Sequence, residues 1–164
     1  MKLLIKTENS FLNENNLIKG SMSLIDQEKA EQLYLINKSA LETSGGSAAN
    51  TIAGLAALGS TAGFMGRVKE DSLGKTFIRD LCSTGACFQT LPIKEGPSTA
   101  RCFIYVTPDA ERTMCTFLGS SILLEPKDID FSIIDKTKIL YLEGYLWDLE
   151  SAKSSFTIAA ERCK

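Results

Sequence analysis

The sequence predicts an α/β fold with largely parallel strands. Short β-prone runs alternate with stretches of helical period up to Gly85 and again after Pro126. A Ser-Gly-Gly turn at Ser44–Gly46 leads from one such run directly into a helix of small and aliphatic residues. The middle of the chain breaks the alternation. Phe88–Ile93, Ala100–Val106 and Arg112–Leu118 are three β-prone runs with no helix between them, and they predict a hairpin or small antiparallel sheet set into it.

In chain order, Leu3–Ile5 reads as the end of a strand, Ser10–Leu17 as a short polar helix closed by Gly20, and Met22–Ile25 as a short apolar alternation. Asp26 is placed to cap a helix through Gln27, Ala30, Leu33 and Tyr34. The central helix begins at Ala48. Ala49, Ile52, Ala53 and Ala56 take the i, i+3, i+4, i+7 spacing of one buried face, and Leu55 and Leu58 widen it, so this helix is expected to be covered on most sides. Thr61–Val68 reads as a strand and Asp71 as the cap of a helix ending near Gly85. Thr107-Pro108-Asp109-Ala110 turns between the last two β-prone runs. Alternation there puts Cys102, Ile104 and Val106 on one face and Arg101, Phe103 and Tyr105 on the other. The pair serves either as a flap closing on a ligand or as an ordinary core-packed hairpin. Pro126–Asp130 reads as a helical turn and Lys138–Tyr145 as an apolar strand. A final helix from Glu150 to the last residue has Ala152, Phe156, Ala159 and Ala160 on one face. In a doubly wound sheet that helix should deliver the chain to another strand, so the alternation reads as cut in the middle.

The glycine turn is the chemically informative stretch. Side chains at Gly45 or Gly46 would restrict the turn and hold a ligand off the backbone, and the helix that follows brings unpaired N–H groups to the same place. Asn50 adds a donor and acceptor in the first turn; the plainer alternative is that it only satisfies the turn. Gly45-Gly46-Ser47-Ala48-Ala49-Asn50 lacks the third glycine of a dinucleotide fingerprint, which weighs against a nicotinamide-binding domain. Gly74-Lys75-Thr76 resembles the end of a phosphate loop, but Lys69 stands where the leading glycine belongs.

A chain of 164 residues has the length of one ordinary domain, and 44% hydrophobic with 23% charged residues is the balance of a soluble globular protein. A net charge of −2 with mixed signs leaves no basic footprint for nucleic acid or membrane surfaces. Met1–Lys6 has too short an apolar run for a signal peptide, so a cytoplasmic location is expected. Cys82, Cys87, Cys102, Cys115 and Cys163 are odd in number and lack C-x-x-C spacing, which argues for free thiols and against a zinc site. The absence of histidine excludes Ser-His and Cys-His nucleophile pairs and imidazole metal sites.

Taken together, Gly45-Gly46-Ser47-Ala48-Ala49-Asn50, Leu58-Gly59, Gly66 to Gly74, Thr99-Ala100-Arg101-Cys102, Thr107 to Thr113 and Tyr141 to Leu146 resemble the PfkB-type, ribokinase-like carbohydrate kinases, especially their adenosine kinase-like branch. The resemblance runs from about Phe11 onward, with Lys69 replacing a usual glycine. It implies a three-layer α/β sandwich with a mostly parallel sheet and a small β lid, here truncated. Residues 1–164 would be a partial kinase domain with its lid hairpin at about 88–118. The implied reaction is transfer of the γ-phosphoryl group of ATP to a primary hydroxyl. Gly45, Gly46, Ser47 and Asn50 carry over as hydroxyl-binding residues, Cys102 and Tyr145 as lid and wall of the pocket. Arg112 either reaches the phosphates or pairs with Glu111 or Asp109.

Phosphoryl transfer also needs a base near the acceptor and neutralisation of the transferred group. The family's N-x-x-E and G-A-G-D motifs, which serve those ends, are absent, and no acidic residue precedes Glu8 in the opening strand. The expectation is therefore an acceptor-binding front half, with no catalytic residue and no metal ligand, inactive alone. ATP and Mg2+ belong to the complete family enzyme and are not expected to bind this chain well. The expected partners are a small sugar or nucleoside, a companion chain carrying the C-terminal half, or a second copy through the lid or a sheet edge. The alternative is a non-catalytic remnant that only binds small molecules or associates.

Overall fold

The computed structural model describes residues 1–38 and 40–163. The chain runs β1 (Lys2–Lys6), α1 (Asn9–Glu14), β2 (Met22–Leu24), α2 (Gln27–Ile36), β3 (Leu41–Thr43), α3 (Ser47–Ala57), β4 (Gly63–Phe64), α4 (Ser72–Ser83), β5 (Cys87–Phe88), β6 (Arg101–Val106), β7 (Arg112–Phe117), α5 (Phe131–Ile134) and α6 (Glu150–Arg162). Tight 3-10 turns lie at Gly119–Leu123, Pro126–Asp128 and Gly144–Leu146. The chain divides into two compact units. One joins Met1–Ser44 to Ala100–Gly119; the other joins Gly45–Thr99 to the residues from Ser120 onward.

The first unit is a five-stranded sheet in the order β2-β7-β6-β1-β3. β1 runs parallel to β6 and β2 to β7, while the β6–β7 hairpin and the β1–β3 pair are antiparallel. Alternation along the strands sends Leu3, Phe103, Tyr105, Cys115 and Phe117 to one side, where they form a core with Leu12 of α1 and Ala30 and Leu33 of α2. Phe11 packs its ring against Tyr105 at 5.1 Å. The buried Asn37 amide donates both to the Leu33 carbonyl and to the Tyr105 hydroxyl, and burial pushes that phenol far above its ordinary range. As alternation predicted, Arg101, Phe103 and Tyr105 are buried, whereas Cys102, Ile104 and Val106 occupy the other, half-buried face.

In the second unit β4 and β5 pair in parallel, and Lys69 bridges Ile93 in the same sense. Phe64, Phe77 and Phe88 cluster around that pair with ring separations of 5.8 to 5.9 Å. The run Phe88–Ile93 thus does not join the β6–β7 hairpin. Ladder partners decide strand membership, and those of Phe88 and Ile93 are Phe64 and Lys69. For the same reason the strand expected over Thr61–Val68 shrinks to Gly63–Phe64. Lys138–Tyr145 is not a strand either: it has no ladder partner among the described residues, and it leaves Ile139 83% exposed.

The signature stretch from Gly66 to Gly74 is held by its own polar side chains. The Arg67 side chain, only 9% exposed, bonds Asp128 at 2.6 Å and Glu125 at 3.3 Å, anchoring the turn at Pro126–Asp128. Asp71 caps α4 by accepting from the Gly74 N–H at 2.8 Å, and it accepts from both the N–H and the hydroxyl of Thr99 at 2.9 and 2.7 Å. Gly74 sits so close to the Lys69 carbonyl that a Cβ would lie 2.0 Å from its oxygen. The resemblance of Gly74-Lys75-Thr76 to a phosphate loop is accounted for by this helix start, since the Gly74 N–H donates to Asp71.

Two helices depart from expectation. Of the stripe on α3, Ala49 is buried and Ile52, Ala53 and Ala56 are half-buried, but Leu55 is 42% and Leu58 85% exposed, so the helix is not covered on most sides. In α6 the buried positions are Ala152, Ser155, Phe156 and Ala159; Ala160 is exposed, and the helix ends at Arg162, with Lys164 outside the described residues. Ser155 can enter the stripe because its hydroxyl donates to the Ser151 carbonyl one turn back.

The two aspartate caps differ in how much depends on them. Asp26 accepts only from the Lys29 N–H at an exposed site, so Asp26→Ala should cost about 1 kcal/mol. Asp71→Ala also removes the carboxylate that accepts from the N–H and the hydroxyl of the buried Thr99 and should cost about 3 kcal/mol, read from urea unfolding curves. Equal losses for the two substitutions would contradict a role for Asp71 beyond capping.

Candidate functional site

The candidate site is built on the turn between β3 and α3. Gly45 is buried and Gly46 is the N-cap of α3, with φ 117° and ψ 140°. A Cβ on Gly46 would meet nothing closer than the Ala49 Cβ at 3.9 Å, so the backbone angle, not crowding, requires glycine. From that turn the Asn50 N–H donates to the Gly46 carbonyl at 2.8 Å and the Thr51 hydroxyl to the Ser47 carbonyl at 3.0 Å, which fixes the first turn of the helix. The Asn50 side chain is exposed.

Ser47 is turned to a distant part of the chain. Its hydroxyl donates to Glu143 Oε2 at 2.5 Å, and the Tyr141 hydroxyl donates to the same oxygen at 3.2 Å. The Glu143 carboxylate, through its hydrogen bond and its charge, holds the Tyr141 phenol above its ordinary value. The segment that sequence patterning assigned to a strand therefore runs beside the glycine turn as an irregular strap. Tyr145 lies two residues beyond Glu143 in the turn Gly144–Leu146, 70% exposed.

Of the residues singled out from sequence, Gly45, Gly46, Ser47 and Asn50 share one turn, and the Ser47–Glu143 bond brings the stretch containing Tyr145 to it. Cys102 and Arg112 belong to the first unit. The Cys102 sulfur accepts from the Thr116 hydroxyl at 3.3 Å across the β6–β7 pair, and burial raises its thiol pKa. Arg112 is exposed at the start of β7 and makes no ion pair among the described residues. Asp109, one candidate partner, is taken by Lys19 at 2.6 Å, and the hydrogen bonds from Lys19 and Thr107 lower its pKa to about 2.

Glu143 and Tyr141 are the residues that sequence reasoning missed as site residues. The available signal was a lone acid inside the apolar run Ile139–Leu146, where a buried strand would not tolerate one. Among the described residues no three Asp, Glu, His or Cys side chains converge, and the sequences N-x-x-E and G-A-G-D do not occur in the chain. No helix among the described residues is long and apolar enough to cross a membrane.

The family model for pfkB family carbohydrate kinases matches residues 14–164. The chain belongs to that family. Among solved structures it is similar to the adenosine kinase from Sinorhizobium meliloti, 44% identical with a TM-score of 0.89. It is also similar to a probable sugar kinase protein from Rhizobium etli CFN 42, 42% identical with a TM-score of 0.90. Each match covers 99% of this chain but only 50% and 49% of those chains. A chloroplastic probable fructokinase-6 from Arabidopsis thaliana is 31% identical over 122 residues, which are 73% of this chain and 32% of that protein. This pfkB-family chain therefore has the ribokinase-like α/β fold and spans about half the length of its solved relatives.

Replacing Glu143 by Gln removes the charge that raises the Tyr141 phenol, so its ionisation should move back toward 10.0. Because the folded-state value is the raised one, the contribution of this contact is whole below the ordinary value and is lost as pH climbs through the shifted one. Ultraviolet titration of wild type, Glu143→Gln and Tyr141→Phe separates this tyrosine from the other three. An unmoved titration in Glu143→Gln would break the assignment.

Proposed function

We propose that this chain is the acceptor-binding part of a pfkB-family kinase, taking a sugar or nucleoside that carries a primary hydroxyl, and that it does not transfer phosphate alone. One observation carries the reading. Gly46, in a backbone conformation that glycine favours, opens a helix whose first turn holds Ser47 and the exposed Asn50, with the Tyr141–Tyr145 strap beside it. Such a site offers backbone amides and neutral side chains to hydroxyls at close range. The similarity to an adenosine kinase and to sugar kinases supports both acceptor classes. Gly45, Gly46, Ser47 and Asn50 bind the acceptor and Tyr145 walls the pocket; for Cys102 and Arg112, in the first unit, the roles of lid residue and phosphate contact rest on the resemblance alone.

Inactivity is argued from chemistry: no carboxylate of a G-A-G-D motif stands ready to deprotonate a hydroxyl, and no glycine-rich anion hole accompanies it. A companion polypeptide carrying that half of the family's chain fits the apolar surface that α3 and the strap leave open, with Leu58 85% and Ile139 83% exposed and Trp147 half exposed. The span of about half of the solved relatives' length supports that occupant.

Calorimetry of the purified chain with adenosine and with ribose should detect binding, and Asn50→Ala should weaken it by roughly 1.5 kcal/mol or more, about tenfold. No turnover of ATP is expected in either case, and a supplied C-terminal half should restore it. Phosphorylation by the chain alone that disappears in Asn50→Ala would overturn the inactive reading.

A further inference from the structure

The strap over Lys138–Glu143 is laid out as a β-strand without being paired as one. Glu143 has extended backbone, with φ −86° and ψ 121°. Tyr141 and Glu143, two residues apart, point the same way: they bond each other, and Glu143 takes the Ser47 hydroxyl at the first turn of α3. Leu142 between them points the other way, into a groove of about 270 Å³ that it lines with Trp147 and with Phe156, Thr157, Ala160 and Glu161 of α6. That is the period of two of a strand, with one face toward α3 and the other toward α6. Only the ladder is missing. No backbone N–H or C=O of residues 138–143 makes a hydrogen bond among the described residues. Ile139 is 83% and Tyr141 54% exposed, apolar surface that the side chains of a neighbouring strand would cover.

We infer that this strap is the docking edge for one β-strand from the half of the family's chain that this one does not span, added through backbone hydrogen bonds. The inference rests on the companion reading above and names the element through which the companion engages. Its faces are turned to two helices, so what the strap offers a partner is its edge, and a row of free N–H and C=O groups is matched by another strand. The added strand runs parallel to the strap, because α6 follows the strap and in a doubly wound sheet a crossover helix leads to a parallel neighbour. The chain spans about half the length of its solved relatives, which leaves the other half to supply that strand. A strand with helical layers on both sides is a near-continuous apolar run, and a charge on it would lie unpaired beside Leu142 and Phe156.

The probe is the part of the Sinorhizobium meliloti adenosine kinase that this chain does not cover, refolded in the presence of this chain. Hydrogen exchange reads residues 138–143, and sedimentation reads the dissociation constant. These amides should exchange freely in the chain alone and at least about tenfold more slowly in the complex. Ile139→Pro and Leu140→Pro remove N–H groups that point to opposite edges of the strap. Both should leave the melting temperature of the free chain within about 2 °C, since no backbone bond is lost there, and at least one should weaken association about tenfold or more. A melting temperature that falls well beyond that in both would show a strap already paired and overturn the inference. Association that leaves residues 138–143 unprotected and ignores both prolines, yet weakens in Leu58→Asp, would sink strand addition and leave the companion reading standing. Self-association of the free chain that both prolines abolish would assign the edge to a second copy and overturn this occupant. No association with the probe at all would sink the companion reading as well.

Discussion

The backbone at Gly46 is the constraint on which the candidate site depends. Its φ of 117° lies where residues with a Cβ rarely go, and that angle is what lets the chain turn directly into α3. Without that turn, the start of the helix would not present Ser47 and Asn50 together, and the Ser47 hydroxyl would not reach a carboxylate 96 residues away in sequence. Little crowding enforces glycine at this point, so the requirement is conformational. The contrast with Gly74 is instructive, because there a Cβ would collide with the Lys69 carbonyl and the requirement is one of space.

These two kinds of glycine separate the family signature into two tasks. The Gly45–Asn50 part shapes an exposed surface and leaves side chains available. The Gly66–Gly74 part consumes its polar groups internally: Arg67 on Asp128, the Lys69 ammonium on the Gly96 carbonyl at 2.7 Å, Asp71 on Thr99 and on the cap of α4. Polar groups satisfied in this way specify one arrangement of loops at little net gain in stability, because each bond replaces one to water. The second part reads as scaffold for the first. The side chain of Lys69 turns outward to a carbonyl and its backbone N–H finds the Thr99 hydroxyl.

Local chemistry was what the sequence made legible. Asp26 and Asp71 cap the helices their spacing assigned to them, the β6–β7 hairpin turns where Pro108 and Asp109 stand, and alternation separated its buried and half-buried faces correctly. These features are decided within a few residues, by capping bonds, turn preferences and a period of two. Strand partnership is decided elsewhere in the chain, and there the reading failed. Phe88 carries the composition of a hairpin strand yet pairs with Phe64, and along Lys138–Tyr145 the lone acid Glu143 is the one local sign against a ladder-paired buried strand. At the candidate site the same division holds: Ser47 and Asn50 were visible as neighbours in sequence, whereas Glu143 acquires its meaning only through a contact over a long separation.

The strap also shows why a run of apolar residues is not by itself a strand. Backbone N–H and C=O groups buried without partners cost more than their side chains recover, so an apolar segment lacking a ladder stays where water can reach it. Ile139, Tyr141 and Tyr145 are accordingly exposed despite a composition that favours burial. What fixes the strap at one point is polar, the Glu143 carboxylate receiving Ser47 and Tyr141. An acid in that position would be strongly unfavourable in a fully paired, doubly covered strand. Beside the glycine turn it is tolerated and supplies the strap with a tie that hydrophobic packing does not. The residue that disqualifies the segment as a buried strand is thus the one that gives it a defined place in the site.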